Sequence, residues 1–358
     1  MISFMYVENE DSLLEAIKEW KKNDILAIDL ECENNLHHYG QYISLIQISD
    51  KNTNWIIDVV KIKDITPLIK LIEDKNITKI FHDIGFDFRI LNKQFNCKPK
   101  NTFDTQIAAS LLGEKNIGLG SLLEKYFSIK KESKFQRADW TKRPLSVPML
   151  SYAAKDTAYL IELSKIFKKM LKEKKRWFWV EEEFLELDKK EFTIKKSNFL
   201  DMRGLRELNE TQLGILKELF FLREKLAKKS NLPGHFIIRN KSLIQFASKQ
   251  PHWKKVRGVH PIVRKEADLF FEAVKKGKNH PITKDKKINK KLSLEKKELF
   301  NKIQAIRTKI SDLINIKSHL IINKDQMIDM VVTGKTTGLK NWQKSLLDNY
   351  GLKELNLK

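Results

Sequence analysis

Hydrophobic positions along this chain follow two different periods. Short runs rich in aliphatic and aromatic residues, bounded by polar turns, predict strands at Phe4–Val7, Ile25–Glu31, Tyr42–Ile48, Trp55–Val60 and Thr78–His82. The middle three are close in sequence and predict an antiparallel meander. Apolar residues at helical spacing predict helices at Pro67–Glu73, Ile84–Phe95, Phe103–Leu112 and Leu119–Phe127, and one long helix over Val147–Leu171. Ser12-x-x-Glu15 reads as a capping box opening a further helix that runs to Lys22. A meander followed by alternating helix and strand predicts an α/β domain, a mixed sheet with helices on both faces.

From Lys172 onward the pattern predicts no strand. Trp177–Leu187 is aromatic, acidic and helical, and two helical modules follow. Leu213, Leu216, Leu219, Phe220 and Leu226 form the apolar stripe of the first. Each module has an Arg-bearing long helix, a short apolar turn and a polar-capped helix, beginning Asn240-Lys241-Ser242-Leu243 in one and Asn323-Lys324-Asp325-Gln326 in the other. This reads as a duplication. The expected division is an α/β domain over 1–175, a helical connector over 176–204, helical modules over 205–275 and 292–358, and a Lys-rich linker over 276–291.

Charge changes the picture next. The 358 residues carry a formal net charge of +22, which favours polyanionic partners, nucleic acid above all, although Lys is abundant throughout. Two cysteines, Cys32 and Cys97, are too few for a disulfide framework or a zinc site and suit a reducing cytoplasm. No signal-peptide pattern opens the chain, and no apolar run approaches the roughly 20 residues that span a bilayer. The expectation is a cytoplasmic protein, a monomer with no membrane partner.

Against this background two carboxylates stand out. Asp29 and Glu31 lie two apart near the end of an apolar strand and therefore share a face. Side by side on a core strand they repel and lose solvation, and a pair of divalent cations would remove both penalties. Solvated acids at a strand end are the alternative. Further along, Phe81-His82-Asp83-Ile84-Gly85-Phe86-Asp87 leaves a strand for a helix, with Asp83 as the expected N-cap and Asp87 at the edge of the apolar face. Tyr152 and Asp156, four apart, share one helix face across small residues.

Asp29-x-Glu31, His82-x-x-x-x-Asp87 and Tyr152-x-x-x-Asp156, in this order, resemble the three exonuclease motifs of the DEDD superfamily, in its tyrosine-bearing subgroup. Phe103-Asp104-Thr105-Gln106 with Ala108–Leu112, and Asp139-Trp140-x-x-Arg143-Pro144-Leu145, look like segments of the ribonuclease D family. Leu219–Glu224 with Phe246-Ala247, and Gly338-Leu339-x-x-Trp342-Gln343-x-x-Leu346-Leu347, resemble HRDC domains. The resemblance spans nearly the whole chain.

It implies a fold like ribonuclease H and removal of nucleoside 5′-monophosphates from RNA 3′ ends, with tRNA precursors as the expected substrate. By the motif match Asp29, Glu31, Asp87 and Asp156 would hold two divalent ions, Mg²⁺ or Mn²⁺, and Tyr152 would orient the attacking water. Two such ions about 3.5–4 Å apart provide an oxygen nucleophile at neutral pH and relieve charge on the leaving oxygen. Tyrosine, with a pKa near 10, positions that water rather than deprotonating it. His82, Lys142 and Arg143 are candidate phosphate contacts, His82 being first a satisfied core residue. Phe86 is core or, with Tyr152, a platform for the terminal base.

Two rivals carry over: a DNA exonuclease of the same superfamily, which the motifs do not separate from an RNA enzyme, and a non-catalytic RNA-binding protein, which would lack one or more of the acids. Thr333-Gly334-Lys335-Thr336 looks like a P-loop but has Asp329 where its first glycine belongs, so it reads as a turn and argues against an ATP-driven helicase. His37-His38 lacks metal-ligand spacing and reads as loop.

Overall fold

The computed structural model describes residues 2–130, 134–193, 197–283, 293–355 and 357. Among them, β1 (Met5–Val7), β2 (Ile25–Asn34), β3 (Gln41–Ser49), β4 (Asn54–Ile57), β5 (Thr78–Phe81) and β6 (Thr102–Asp104) form one sheet. Its order is β1-β4-β3-β2-β5-β6. β2, β3 and β4 make the expected antiparallel meander, and β1, β5 and β6 add to its edges as parallel pairs. β6 is the strand the hydrophobic pattern did not show. It is three residues long and runs straight into a helix, so it has no room for an alternation of its own.

Helices α1 (Glu10–Trp20), α2 (Thr66–Ile72) and α3 (Ile84–Phe95) cover one face of the sheet; α4 (Thr105–Leu112), α5 (Leu119–Phe127), α6 (Val147–Ala158) and α7 (Leu160–Glu173) belong to the other side. Strand alternation explains the division. Ile28, Leu30, Ile46 and Ile48 pack with α1–α3, whereas Leu45 and Ile56 pack with Leu150, Tyr152, Ala153 and Ala154 of α6. Three helix boundaries differ from expectation. α1 starts earlier, because the Asn9 side chain accepts from the Ser12 N–H and takes the cap expected of Ser12. The long helix breaks at Tyr159 without proline or glycine: α6 follows the β2–β4 face, while α7 buries Leu163, Phe167 and Leu171 in the core shared with α4. Asp83 stands before α3 in a left-handed conformation with no capping bond from its side chain. Asp104 caps instead, accepting from Ile84 N–H at 2.9 Å and, in its own helix, from Gln106 N–H at 2.7 Å.

Lys79 lies fully buried on β5 and donates its ammonium to the carbonyls of Asp74 and Ile77. Burial pulls its pKa down to about 8, against opposing attraction from Asp74 and Asp188. The unfolded chain therefore binds more protons than the folded one between pH 8 and the ordinary lysine value, so this group makes stability rise with pH across that window. Relative to Lys79→Met, the parent gains roughly 2 kcal/mol of unfolding free energy over that range; urea titrations at both ends measure it.

Beyond α8 (Trp177–Lys189) the described chain is helical: α9 (Glu210–Lys229), α10 (Gly234–Ile237), α11 (Asn240–Ser248), α12 (Pro261–Lys265) and α13 (Ala267–Asn279), then α14 (Leu294–Ile314), α15 (Ser318–Ile321), α16 (Lys324–Thr333) and α17 (Asn341–Asp348). The two helical stretches share one polar bond. Arg223 on α9 donates to the Ile238 carbonyl and Arg307 on α14 to that of Ile322, each 15 residues on. Asn323 caps α16 with a full capping box, but Asn240 instead accepts from Arg223 at 2.6 Å. The Lys-rich stretch begins as helix: α13 reaches Asn279, and Gly277 lies where a Cβ would come within 2.7 Å of the Gly214 carbonyl. Two glycines thus let α9 and α13 touch. Of the expected linker, 276–291, residues 284–291 lie outside the described residues. Gly334 ends α16 in a left-handed conformation, confirming a turn where the sequence looks like a P-loop.

Candidate active site

The site begins with a difference in strand length. β5 pairs with β2 only through Ile25, Leu26 and Ala27. β2 runs on past this point, so Asp29 and Glu31 lie on the part of the strand that β3 pairs from one side alone. The chain leaves β5 at Phe81 and turns directly into α3, whose first turn carries Asp87 past the end of the β2–β5 pairing. Asp87 is buried, at 7% exposure, deeper than the helix-edge position expected from spacing. On the α6 side, Ser49 of β3 hydrogen-bonds Thr157 at 2.6 Å and fixes that helix over the face carrying Asp29. Asp156, at 3% exposure, precedes Thr157, and Tyr152 lies one turn back in the apolar cluster with Leu45. Trp140 lies 6.1 Å from the Tyr152 ring, tilted by 30°, and Phe135 meets it edge-on at 5.7 Å.

Electrostatics tie these acids together. Burial pushes the Asp87 carboxyl well above the usual carboxylate range, and the charges of Asp29, Asp83 and Asp104 add to the effect against opposition from Arg89. The Cys32 thiol is pushed up as well, by burial first and then by Asp87, Glu31 and Asp29. Asp29 thus repels Asp87 through a poorly hydrated space, and the charges of Asp29, Glu31 and Asp87 all reach Cys32 beside them. A cation in their midst relieves that repulsion. The acids there offer carboxylate oxygens, the donor set that suits Mg²⁺ or Mn²⁺.

Comparison with known proteins follows the same lines. A family model described as 3′-5′ exonuclease matches residues 4–172, and one described as HRDC domain matches 212–273. A ribonuclease D from Shewanella is 31% identical over 251 residues, covering 69% of this chain and 64% of that one. The chain resembles ribonuclease D. A second ribonuclease D, from Desulfotalea psychrophila, is 26% identical over 367 residues, covering 96% of both chains. The crystal structure of Escherichia coli RNase D superposes with a TM-score of 0.72 at 21% identity, over 98% of this chain and 99% of the other. The ribonuclease D fold, a ribonuclease H-like mixed sheet followed by helical modules, is therefore the fold of this chain.

Among the residues expected to meet substrate, Arg143 needs correction. Its guanidinium donates to both carboxylate oxygens of Asp58 and to the carbonyls of Trp140, Lys142 and Ser44. All five N–H groups are spent inside the protein, so none remains for a phosphate. Burial raises the Asp58 pKa, but bonds from Arg143 and Tyr6 outweigh it and hold the carboxyl below its ordinary range. Arg143→Lys removes the fork that matches Asp58 and lowers stability by about 3 kcal/mol, with KM for RNA unchanged; thermal melts and initial rates measure the two. His82 is half-buried, with Nδ1 2.9 Å from the Thr105 hydroxyl. Phe86 is half-buried against the α1–α3 core, and Lys142 is exposed.

Spacing missed one cluster. Glu33, His38 and Asp139 come within 4.8 Å of one another. Asn231, just beyond α9, accepts from Tyr39 N–H and directs its amide N–H₂ at His38 Nδ1, 3.3 Å away. That leaves His38 Nε2 to donate to Asp139 at 3.0 Å. The β2–β3 loop is thereby pinned both to the first helical module and to the segment beneath Tyr152. No local motif joins residues about a hundred positions apart.

Proposed function

We propose that this chain is a 3′→5′ exoribonuclease that releases nucleoside 5′-monophosphates one at a time from RNA 3′ ends, with Asp29, Glu31, Asp87 and Asp156 holding two divalent metal ions. The supporting observation is the repulsion between Asp29 and Asp87, with the Glu31 charge felt at the same Cys32, beside a helix bearing Asp156 that is pinned to the same sheet face. Bound there, such ions supply charge relief on the leaving oxygen and an oxygen nucleophile at neutral pH. The Tyr152 hydroxyl holds the attacking water in line, and Trp140 and Phe135 keep its ring from swinging. Phe86 offers its exposed edge to the terminal base, and Lys142 reaches toward a phosphate. His82 shapes the mouth of α3.

The family supports RNA over DNA, and the E. coli enzyme with the same fold is an exoribonuclease involved in structured RNA processing. We extend this to the 3′ tails of tRNA precursors, acted on by a monomer in the cytoplasm. No helix among the described residues is long and apolar enough to cross a membrane. A time course on a 3′-tailed tRNA and a matched DNA strand, with Mg²⁺, Mn²⁺ or EDTA, tests the reading. Metal-dependent shortening of the RNA by single nucleotides is expected. Internal fragments, or equal digestion of the DNA, would contradict it.

A further inference from the structure

Gln47 is a buried polar side chain with both of its polar ends unmatched. It sits on the otherwise apolar β3, is fully excluded from water, and neither its carbonyl oxygen nor its amide nitrogen has a hydrogen-bond partner. Leaving such a group unsatisfied costs about 1–3 kcal/mol, and a methionine of similar shape would remove the cost. Its place in the sheet is specific. In the β2–β3 ladder Gln47 is directly opposite Asp29, and residues so paired have Cβ atoms roughly 5 Å apart. Two positions along the same face, Ser49 bonds Thr157, the neighbour of Asp156. Two positions the other way, Leu45 packs with Tyr152 and Ala153. The Gln47 amide therefore lies between Asp29 on the strand and the turn of α6 that carries Asp156.

We propose that Gln47 is a positioning residue of the metal centre: on cation binding its side-chain amide donates to the carboxylates of Asp29 and Asp156 and orients them toward the cations. This rests on the site assigned under the proposed function. A carboxylate that ligates a cation through one oxygen leaves the other to be oriented by a donor, and such outer partners set metal affinity by roughly 10- to 100-fold. Glutamine suits the position because it donates two N–H groups without adding a positive charge that would expel the cations. Lysine would compete with the metal, and a carboxylate would add a further acid to a site already crowded with them.

The test uses the full chain and three proteins: parent, Gln47→Met and Asp29→Asn. In EDTA, Gln47→Met melts at or above the parent temperature. With Mn²⁺, its metal-induced rise in Tm shrinks and its calorimetric Mn²⁺ affinity falls roughly 10- to 100-fold, while kcat falls and KM for RNA holds. A second measurement needs no variant to fold. With ¹⁵N-labelled glutamine, the Gln47 amide resonances of the parent shift and become protected from exchange when Mg²⁺ is added. Unchanged Mn²⁺ affinity in Gln47→Met, or amide resonances that ignore Mg²⁺ while calorimetry shows it binding, overturns the role. Asp29→Asn separates the two readings: if it binds Mn²⁺ and cleaves RNA like the parent, the site itself is misassigned, and the role of Gln47 falls with it.

Discussion

Asp156→Asn leaves the chain folded and able to bind RNA but lowers hydrolysis by about three orders of magnitude or more. The substitution keeps the shape of the side chain and removes one negative charge. Asp156 is almost fully buried on α6, so no second acid can swing in from solvent to replace it. Its neighbour Thr157 anchors the helix to Ser49 whether or not residue 156 is charged. Asp29→Asn acts in the same way from the strand side and, by removing one of the charges that raise the Asp87 pKa, does not lower the melting temperature in EDTA. Single-turnover cleavage and filter binding, run on the same preparations, separate chemistry from affinity. Metal-dependent cleavage at parental rate by a clean Asp29→Asn preparation would refute the site.

The candidate acids could be singled out in the sequence because two of the three motifs are local patterns. A spacing of two on a strand and of four on a helix gives a shared face before any fold is known, and the order of the three motifs does the rest. What stayed hidden depends on partners far along the chain. Arg143 looked like a surface cation because Asp58, its partner, is 85 residues away. Asp83 looked like the cap of α3, yet Asp104 reaches back over 20 residues to do it. Gln47 passed as one polar letter in an aliphatic run until the β2–β3 register set it opposite Asp29. The break at Tyr159 has no local marker, because it is imposed by two packing surfaces rather than by residue type.

Replacing Lys255, Arg257 and Lys265 of the first helical module with glutamine weakens RNA binding and flattens its salt dependence, while kcat on a short saturating substrate stays at the parental value. These exposed cations lie in one segment around α12, far in sequence from the acids. With a formal charge of +22, much of the affinity for RNA comes from counterion release. The slope of log affinity against log salt drops by about 0.7 for each single-strand phosphate no longer neutralised, hence by roughly 2 for the triple variant. Simply deleting the helical region is a poorer test. The second module shares a core with the α/β domain: Trp342 stacks on Trp179 at 5.0 Å and bonds Glu183, and Arg176 donates to the carbonyls of Leu111 and Ile314. Truncation would strip this packing and lower affinity through unfolding alone. Surface substitutions leave the core intact, so a slope that does not move would place the RNA on another face of the molecule, whatever happens to cleavage.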